Sequence, residues 1–593
     1  MCRIAGIIHP SIPVETLQQT VVNMCELLKH GGPDDEGIFT AANEHLVLGN
    51  RRLSLMDLSA SGHQPMQYEE RYTITYNGEL YNFSALKKLL QAEGMVFYTT
   101  SDTEVILAAF AKWNTQSFSK LNGMFAFALW DKIDKKLYLV RDPAGIKPLY
   151  YSTHTGGITF ASEIRGFKPV NYLQEKNEKA AVYQLAYGFI PEPVTILAHV
   201  KPLPKGCFFV YDCNSQNTTL QSFAFFSFNN TIINQEEARN TIFTTTADAV
   251  GRQMLADEQV GIFLSGGTDS AILAKLANLN SAKKIHTLSI YFNEEKYSEK
   301  KYQDIIAQEI KSTHHAILLK EAVFHEHFEA VIKAMDMPSC DGINTWFISR
   351  FAASVGLKAA LSGIGADELY GGYPSFARMQ KTLLIHSLPA SFIGMSAKVD
   401  LKKYNRLAYL RIDGIRGIYL FLRGHFTPNQ IAAQLGAYEK DVWNILSAAP
   451  ASPTLSNVGK KNKASWMEFN IYMQDQLLRD ADVMSMAHGL EIRVPFLDNE
   501  VINTAFSLSE EVKFGGRLPK QLLTETFKKL LPDAIWQRPK MGFSFPFNEW
   551  LKNSPLVHDL ANTKNNTTQK VVKDFMNGEL HWSRVMSLLV LRS

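Results

Sequence analysis

The sequence predicts two large domains in series: a sheet-rich α+β half, then an α/β half built on a parallel sheet and closed by a helical carboxyl-terminal part. Three observations predict this. The 593 residues exceed what one hydrophobic core supports and suit two large domains. About the first two hundred residues read as short apolar runs between turn residues. Beyond about residue 234, short apolar strands alternate with helical patterns, as crossover-connected parallel strands require.

In the first half, apolar runs predict strands at 46–48, at 72–76 ahead of Asn77-Gly78, at 124–130 ahead of Asp131, at 137–140 and at 158–161. Helical spacing predicts helices over 17–28 and 103–111, the second with Val105, Ile106, Ala109 and Phe110 on one face. Between about Cys213 and Asn234 the pattern dissolves into Asn, Gln, Ser, Thr and Phe. The expected division is therefore a first domain at 2–213, a linker at 214–234 and a second domain at 235–593.

The second half opens with a strand at 259–264 and a helix at 269–279 that places Ile272, Leu273, Leu276 and Leu279 on one face. Strands at 285–292, 315–319 and 357–361 follow, with helices at 299–310, 321–335 and 344–355 between them. From about 383 onward the chain reads as mostly helical. Open parallel sheets bind ligands outside the carboxyl ends of their strands, so the loops at 265–270 and 362–368 are where chemistry is expected.

Composition narrows the function classes. With 61 basic and 58 acidic residues the net charge is +3, too small for a long-range field that would recruit nucleic acid or an anionic membrane. The five cysteines form neither a CxxC pair nor a zinc-type spacing with histidine. No apolar run approaches the ~18 residues of a membrane helix, and the amino end lacks a basic segment followed by an apolar core. A cytoplasmic protein acting on small molecules is the expectation, with neither a nucleic acid nor a membrane as partner.

Leu264-Ser265-Gly266-Gly267-Thr268-Asp269-Ser270 joins the first strand of the second half to its first helix. Two glycines let backbone N–H groups approach an anion closely, and the helix N-terminus adds partial positive charge. A glycine turn with Asp269 as helix cap is the alternative. A Walker loop is excluded, because Gly459-Lys460 is followed by Lys461 and lacks the upstream glycine. The pattern Ser-Gly-Gly-x-Asp-Ser resembles the pyrophosphate loop of N-type ATP pyrophosphatases, which adenylate a carboxylate or carbonyl oxygen. A second cluster, Ser362-Gly363-Ile364-Gly365-Ala366-Asp367-Glu368 followed by Gly371-Gly372-Tyr373, resembles the adjacent motif of asparagine synthetases. The resemblance implies ATP held by Leu264, Ser265, Gly266, Gly267, Asp269, Ser270, Ile290, Ser362 and Gly363. It further implies Mg2+ at Asp269 and Asp367, since magnesium on phosphates takes one or two carboxylates, with Glu299 as a third candidate.

At the amino end, removal of Met1 would leave Cys2 with a thiol and an α-amine together. The amine's pKa of about 8 makes it a base at neutral pH, beside a thiol of about 8.5. Cys2-Arg3-Ile4-Ala5-Gly6-Ile7, Gly32-Pro33-Asp34-Asp35-Glu36-Gly37, Arg52-Leu53-Ser54, Asn77-Gly78-Glu79-Leu80-Tyr81-Asn82 and Ser101-Asp102-Thr103-Glu104 resemble, in order and spacing, the glutaminase domain of class II glutamine amidotransferases. The implied fold is an αββα sandwich of the Ntn-hydrolase type. Cys2 would be the nucleophile, and the Asn77 side chain and Gly78 N–H the donors to the tetrahedral oxyanion. Arg52 would grip glutamine's α-carboxylate and Asp102, with Glu79, its α-ammonium, Asn77 also belonging to the glutamine site. Asn77-Gly78 taken alone also fits a hairpin turn.

The whole chain resembles glutamine-hydrolysing asparagine synthetases, and the match continues through Ser485-Met486-Ala487 and Glu491-Ile492-Arg493-Val494-Pro495-Phe496-Leu497-Asp498. Lys520, in Leu518-Pro519-Lys520-Gln521, would stabilise charge on the adenylate or pyrophosphate, its alternative being a solvated surface lysine. Two positions depart from the family: Ile364 stands where Glu is usual, and Val483 where Arg is frequent. The implied activity is amidation of aspartate with ATP and glutamine, releasing AMP, pyrophosphate and glutamate. Amidation of another carboxylate, which Ile364 favours, and a non-catalytic glutamine or nucleotide sensor are the alternatives. Homodimerisation is a family expectation.

Overall fold

A computed structural model of the chain describes residues 2–592 apart from 155, 282, 388–404, 449–454 and 539–540. Its first domain contains β1 (Cys2–Ile8), β2 (Asp35–Ala41), β3 (Leu46–Arg52), β4 (Met66–Tyr68), β5 (Tyr72–Leu80), β6 (Gly123–Asp131), β7 (Lys136–Arg141), β8 (Tyr150–His154), β9 (Gly157–Ala161), β10 (Lys201–Pro202), β11 (Cys207–Asp212) and β12 (Thr218–Ser222). They form two six-stranded sheets, in the orders β10-β8-β9-β1-β3-β2 and β12-β11-β7-β6-β5-β4.

Strand alternation makes the layers. Along β1, Ile4 and Ile8 point between the sheets with Leu48, Ala128, Trp130, Leu139 and Phe209. Ala5 and Ile7 point outward, beneath Leu17, Val21 and Met24 of α1 (Val14–Leu27). On the far face, α2 (Phe83–Ala92) and α3 (Asp102–Trp113) lay Leu86, Leu90, Val105, Ile106 and Phe110 on Ile74, Phe125, Phe127 and Val140 of the second sheet. The inner strands of both sheets are thus buried on both faces, which is why so many of them carry apolar residues without a polar alternate. The result is the expected αββα sandwich.

Two first-half expectations differ from the structure. Asn77-Gly78 is no turn: β5 runs through it, pairing Asn77 with Ala126 and Gly78 with Phe125 of β6. A Cβ on Gly78 would stand 2.1 Å from the Met124 carbonyl oxygen, so glycine is needed for close strand approach. The stretch expected as linker contains β12, the edge strand paired with β11. Its residues are all exposed, and an edge strand without a buried face has no apolar alternation to read. Past it, Phe226 and Phe228 pack on Phe506 of the second domain, and Ile232 N–H donates to the Ser507 carbonyl at 2.9 Å.

In the second domain, α5 (Gln235–Gln253), a helix not among the predicted elements, leads into β13 (Val260–Phe263), α6 (Thr268–Asn280), β14 (His286–Tyr291), β15 (Thr313–Leu318) and β16 (Ala359–Leu361), which lie close to the predicted ones. A fifth strand, β17 (Glu491–Arg493), was not expected, because its flanking residues are charged and it lies in the stretch read as helical. All four pairings are parallel and the order is β15-β14-β13-β16-β17. The order reverses between β13 and β16, so the loops after these two strands flank one crevice.

The domains are joined by buried charge. Arg3, wholly buried, donates from Nε to Glu163 at 2.6 Å and lies 2.8 Å from Asp482 of the second domain. Lys147 lies 3.4 Å from Asp482 as well. Nearer the surface, Lys358 bridges to Asp34 at 3.0 Å, and the buried Arg479 donates to the Ile190 carbonyl at 2.9 Å.

Candidate active sites

The first site forms where β1, β3 and β5 meet. Register places Cys2 beside Arg52, and β1 and β5 approach closely enough for Cys2 N–H to donate to Asn77 Oδ1 at 3.2 Å. Asn77 is fully buried, and among the described residues no protein group accepts from its Nδ2. A buried, unpaired amide donor costs free energy, so its persistence beside a cysteine points to an acceptor outside the protein. Burial pushes the Cys2 thiol up, while the amino end of the chain, the Leu53 backbone and Arg52 pull it down. Arg52 Nη2 donates to the carbonyls of Asp57 (2.6 Å) and Met56 (3.1 Å). Among the described residues no carboxylate pairs with it, so its charge is available to an acid.

Glu79, Asp102 and Glu491 are buried together. Asp102, in the first turn of α3, accepts from Leu80 N–H (2.9 Å) and the Tyr76 hydroxyl (3.1 Å). Burial raises its pKa against these bonds. Burial and the neighbouring Glu491 push Glu79 up to about 8, opposed by Arg493, whose Nη2 lies 3.6 Å from Glu79 Oε1. Arg493, Lys147 and the amino end of the chain offset part of this acidity, and Glu79 with Asp102 are the carboxylates that an added ammonium would meet.

The second site is a cavity of about 680 Å3 at the carboxyl ends of β13, β14 and β16. The loop after β13 is organised by its own hydroxyls: Ser265 N–H donates to Ser270 Oγ (3.2 Å), Gly267 N–H to Ser265 Oγ (3.3 Å), and Ser270 Oγ to the Gly267 carbonyl (3.1 Å). Lys520, at the start of the helix Gln521–Phe527, reaches Asp269 (2.6 Å) and Asp367 (2.6 Å) together. Burial alone would lower its pKa, but the two carboxylates hold it above the ordinary lysine value. Farther along the wall, burial and Asp367 push Glu368 up to about 7, with the Tyr373 hydroxyl donating to it at 2.7 Å.

The structure brings Cys2, Arg52, Asn77, Gly78, Glu79 and Asp102 close together. It brings Leu264, Ser265, Gly267, Asp269, Ser270, Ile290, Ser362, Gly363, Asp367 and Lys520 to the cavity wall. Gly266 does not line the cavity, its carbonyl accepting instead from Arg538 at 2.8 Å. Glu299 does not line the cavity either, and pairs with the same arginine, which does. Ile364 faces the cavity, whereas Val483 is buried in the core. Sequence reasoning missed Glu491 and Arg493 as neighbours of Glu79, although both stand in a quoted motif; only the sheet order places them there. It also missed Asp341 and Asp480, which line the cavity. Among the described residues no cluster of three or more His, Cys, Asp or Glu gathers for a metal, and no helix is long and apolar enough to cross a membrane.

Comparisons with known proteins agree with this layout. Residues 242–582 match the family model described as asparagine synthase, and residues 1–224 the one described as glutamine amidotransferase domain. The chain is 32% identical over 573 residues to the glutamine-hydrolyzing asparagine synthetase 1 of Bacillus subtilis (strain 168), covering 93% of this chain and 88% of the relative. It is 30% identical over 568 residues to a putative glutamine-hydrolyzing asparagine synthetase of Mycobacterium tuberculosis (strain ATCC 25618 / H37Rv), covering 91% and 85%. It is also 25% identical over 635 residues to a Gibberella zeae protein named amidase chry2, covering 93% and 90%.

Proposed function

Because the chain belongs to the asparagine synthetase family, we propose that it is an ATP-dependent ligase that hydrolyses glutamine at Cys2 and delivers the ammonia to an adenylated carboxylate, aspartate being the first candidate. The observation that carries this reading is the pairing in one chain of Cys2 beside an unsatisfied Asn77 amide with Lys520 between two carboxylates at a parallel-sheet switch point.

At the first site, Cys2 Sγ adds to glutamine's amide carbon and its proton passes to the α-amine exposed by loss of Met1. Asn77 Nδ2 and Gly78 N–H supply the oxyanion donors. The nitrogen leaves as ammonia with that proton, and water cleaves the thioester to give glutamate and the restored thiol. Arg52 binds the substrate's carboxylate, and Glu79 with Asp102 its ammonium.

At the second site, the Ser265–Ser270 loop and the α6 N-terminus suit the phosphates. Asp269 and Asp367 suit magnesium: both already face a shared cation, the Lys520 ammonium, and both are hard oxygen donors. Magnesium supplies charge neutralisation on the phosphates when bound. Lys520 then carries charge stabilisation at the adenylate and the departing pyrophosphate.

Ile364 supports a second reading for the acceptor. An isoleucine in the cavity wall can neither orient an ammonium nor take a proton, which favours a carboxylate other than aspartate, such as a sugar acid or a secondary-metabolite precursor. Pyrophosphate release from ATP-Mg with glutamine or ammonia and a panel of carboxylic acids tests both. Release with aspartate supports asparagine synthesis, release only with another acid supports the second reading, and no release with any acid overturns the ligase assignment.

A further inference from the structure

The carboxylate pair assigned to glutamine's ammonium is not enclosed by the first domain alone. The cation that reaches it belongs to β17, in the second domain's sheet. Arg493 is wholly buried. Its Nε donates to Glu491 Oε1 at 2.6 Å, its Nη1 donates to the carbonyls of Gln253 (2.8 Å), the last residue of α5, and Leu255 (2.7 Å) just after it, and its Nη2 lies 3.6 Å from Glu79 Oε1. Glu491 and Arg493 are two residues apart on one strand, so both side chains leave the same face. Ile492 between them joins the second domain's core. The main chain of Arg493 serves the other site: it pairs with Leu361 of β16, and its carbonyl accepts from Ser362 N–H, the first residue of the nucleotide loop, at 2.8 Å.

We propose that Arg493 is a positioning residue of the glutamine pocket: by facing Glu79 it holds that carboxylate in place and ionisable for the substrate ammonium, so the second domain completes the first domain's subsite. This rests on reading the first site as a glutaminase. The groups that face Glu79 are Glu491 and Arg493 from β17, Asp102 from α3 and the amino end of the chain at β1. Tyr76 and Tyr81, on and just after β5, also feel its charge. Of the side chains, Arg493 is the cation among acids. Glu491 is held below the ordinary carboxylate value by Arg493, with the amino end of the chain and Lys147, against the upward push of burial, so the guanidinium is shared between two carboxylates, Glu491 and Glu79. Without Arg493, Glu79 would face burial and two carboxylates with less compensation. Its pKa would rise further, and the substrate ammonium would meet a neutral acid.

Full-length Arg493→Met and Arg493→Lys proteins test this against the parent, by glutamate release over a range of glutamine concentrations from about pH 6 to 9 and by ammonia-supported pyrophosphate release. The Met protein is expected to raise KM for glutamine about tenfold or more with little change in kcat. Glutamine affinity in the parent rises with pH as Glu79 ionises, and in the variant that rise moves to higher pH. Lys restores part of both. Ammonia-supported release persists, because Ser362 is held by the main chain of residue 493. An unchanged KM and pH profile in the Met protein, or a parallel loss of glutamine- and ammonia-supported activity, overturns the proposal. If the Met protein does not fold, the Lys protein shows the same displacements at smaller amplitude, and a Lys protein with parental KM and pH profile overturns it. A parent that releases no glutamate from glutamine would instead sink the underlying glutaminase reading.

Discussion

Asn77 shows how a residue's role emerges from its unmet bonds. Its Oδ1 accepts from the Cys2 nitrogen and its Nδ2 has no acceptor among the described residues, so the amide is fixed by one end and offered by the other. Asn77→Ala is expected to lower kcat for glutamine hydrolysis about 10²–10³-fold, as removal of one oxyanion donor does, while ammonia-supported pyrophosphate release stays at the parental level. Equal losses in both assays would mean that Asn77 supports the fold instead. The residue types of this pocket were legible in the sequence, since Cys2, Arg52, Asn77, Glu79 and Asp102 all fall in quoted motifs. Their partners were not. Nothing in the order of residues shows that Glu491 and Arg493 lie against Glu79, because a contact across more than four hundred positions depends on which strand ends the sheet.

At the scale of elements, strands with buried apolar runs such as β6 and β13 were read closely, and so was the half-buried β15, whereas β1, buried along its whole length, was not among the predicted strands. β12 and β17 were missed for opposite reasons: the first is an exposed polar edge, the second buries charges that satisfy one another. β5 carries the sharpest local constraint. Gly78 lies where a Cβ would come within 2.1 Å of the Met124 carbonyl oxygen and 2.7 Å of Phe125 Cα, and backbone atoms cannot give way as a flexible side chain can. Gly78→Ala is expected to destabilise the first domain by about 1–3 kcal/mol, read as a lower denaturation midpoint. It should also abolish glutamine hydrolysis, because β5 carries both Asn77 and Glu79. A variant with parental stability and glutaminase activity would show that β5 and β6 separate freely here.

The whole molecule places two chemistries in one body. Arg3, the residue after Cys2, is buried between Glu163 of its own domain and Asp482 of the second. Against the upward push of burial, Arg3, His30 and Arg165 hold Glu163 well below the usual carboxylate range. A carboxylate depressed in this way stabilises the fold above its unfolded pKa of about 4.3, and that contribution is lost as pH falls toward its folded value. The Arg3–Glu163 pair within the first domain is therefore acid-labile and intact at neutral pH. A joined body has a chemical purpose: ammonia released into water at neutral pH is protonated and loses its nucleophilicity, so release and use belong under one cover. The most direct test supplies amide-nitrogen-labelled glutamine with ATP, magnesium, unlabelled ammonium and the acid that supports pyrophosphate release. The parent enzyme should place the label in the amide product and form glutamate together with pyrophosphate, whereas Cys2→Ala should incorporate only unlabelled nitrogen. Label transfer by Cys2→Ala, or glutamate formation by the parent without pyrophosphate for every acid tried, would contradict it.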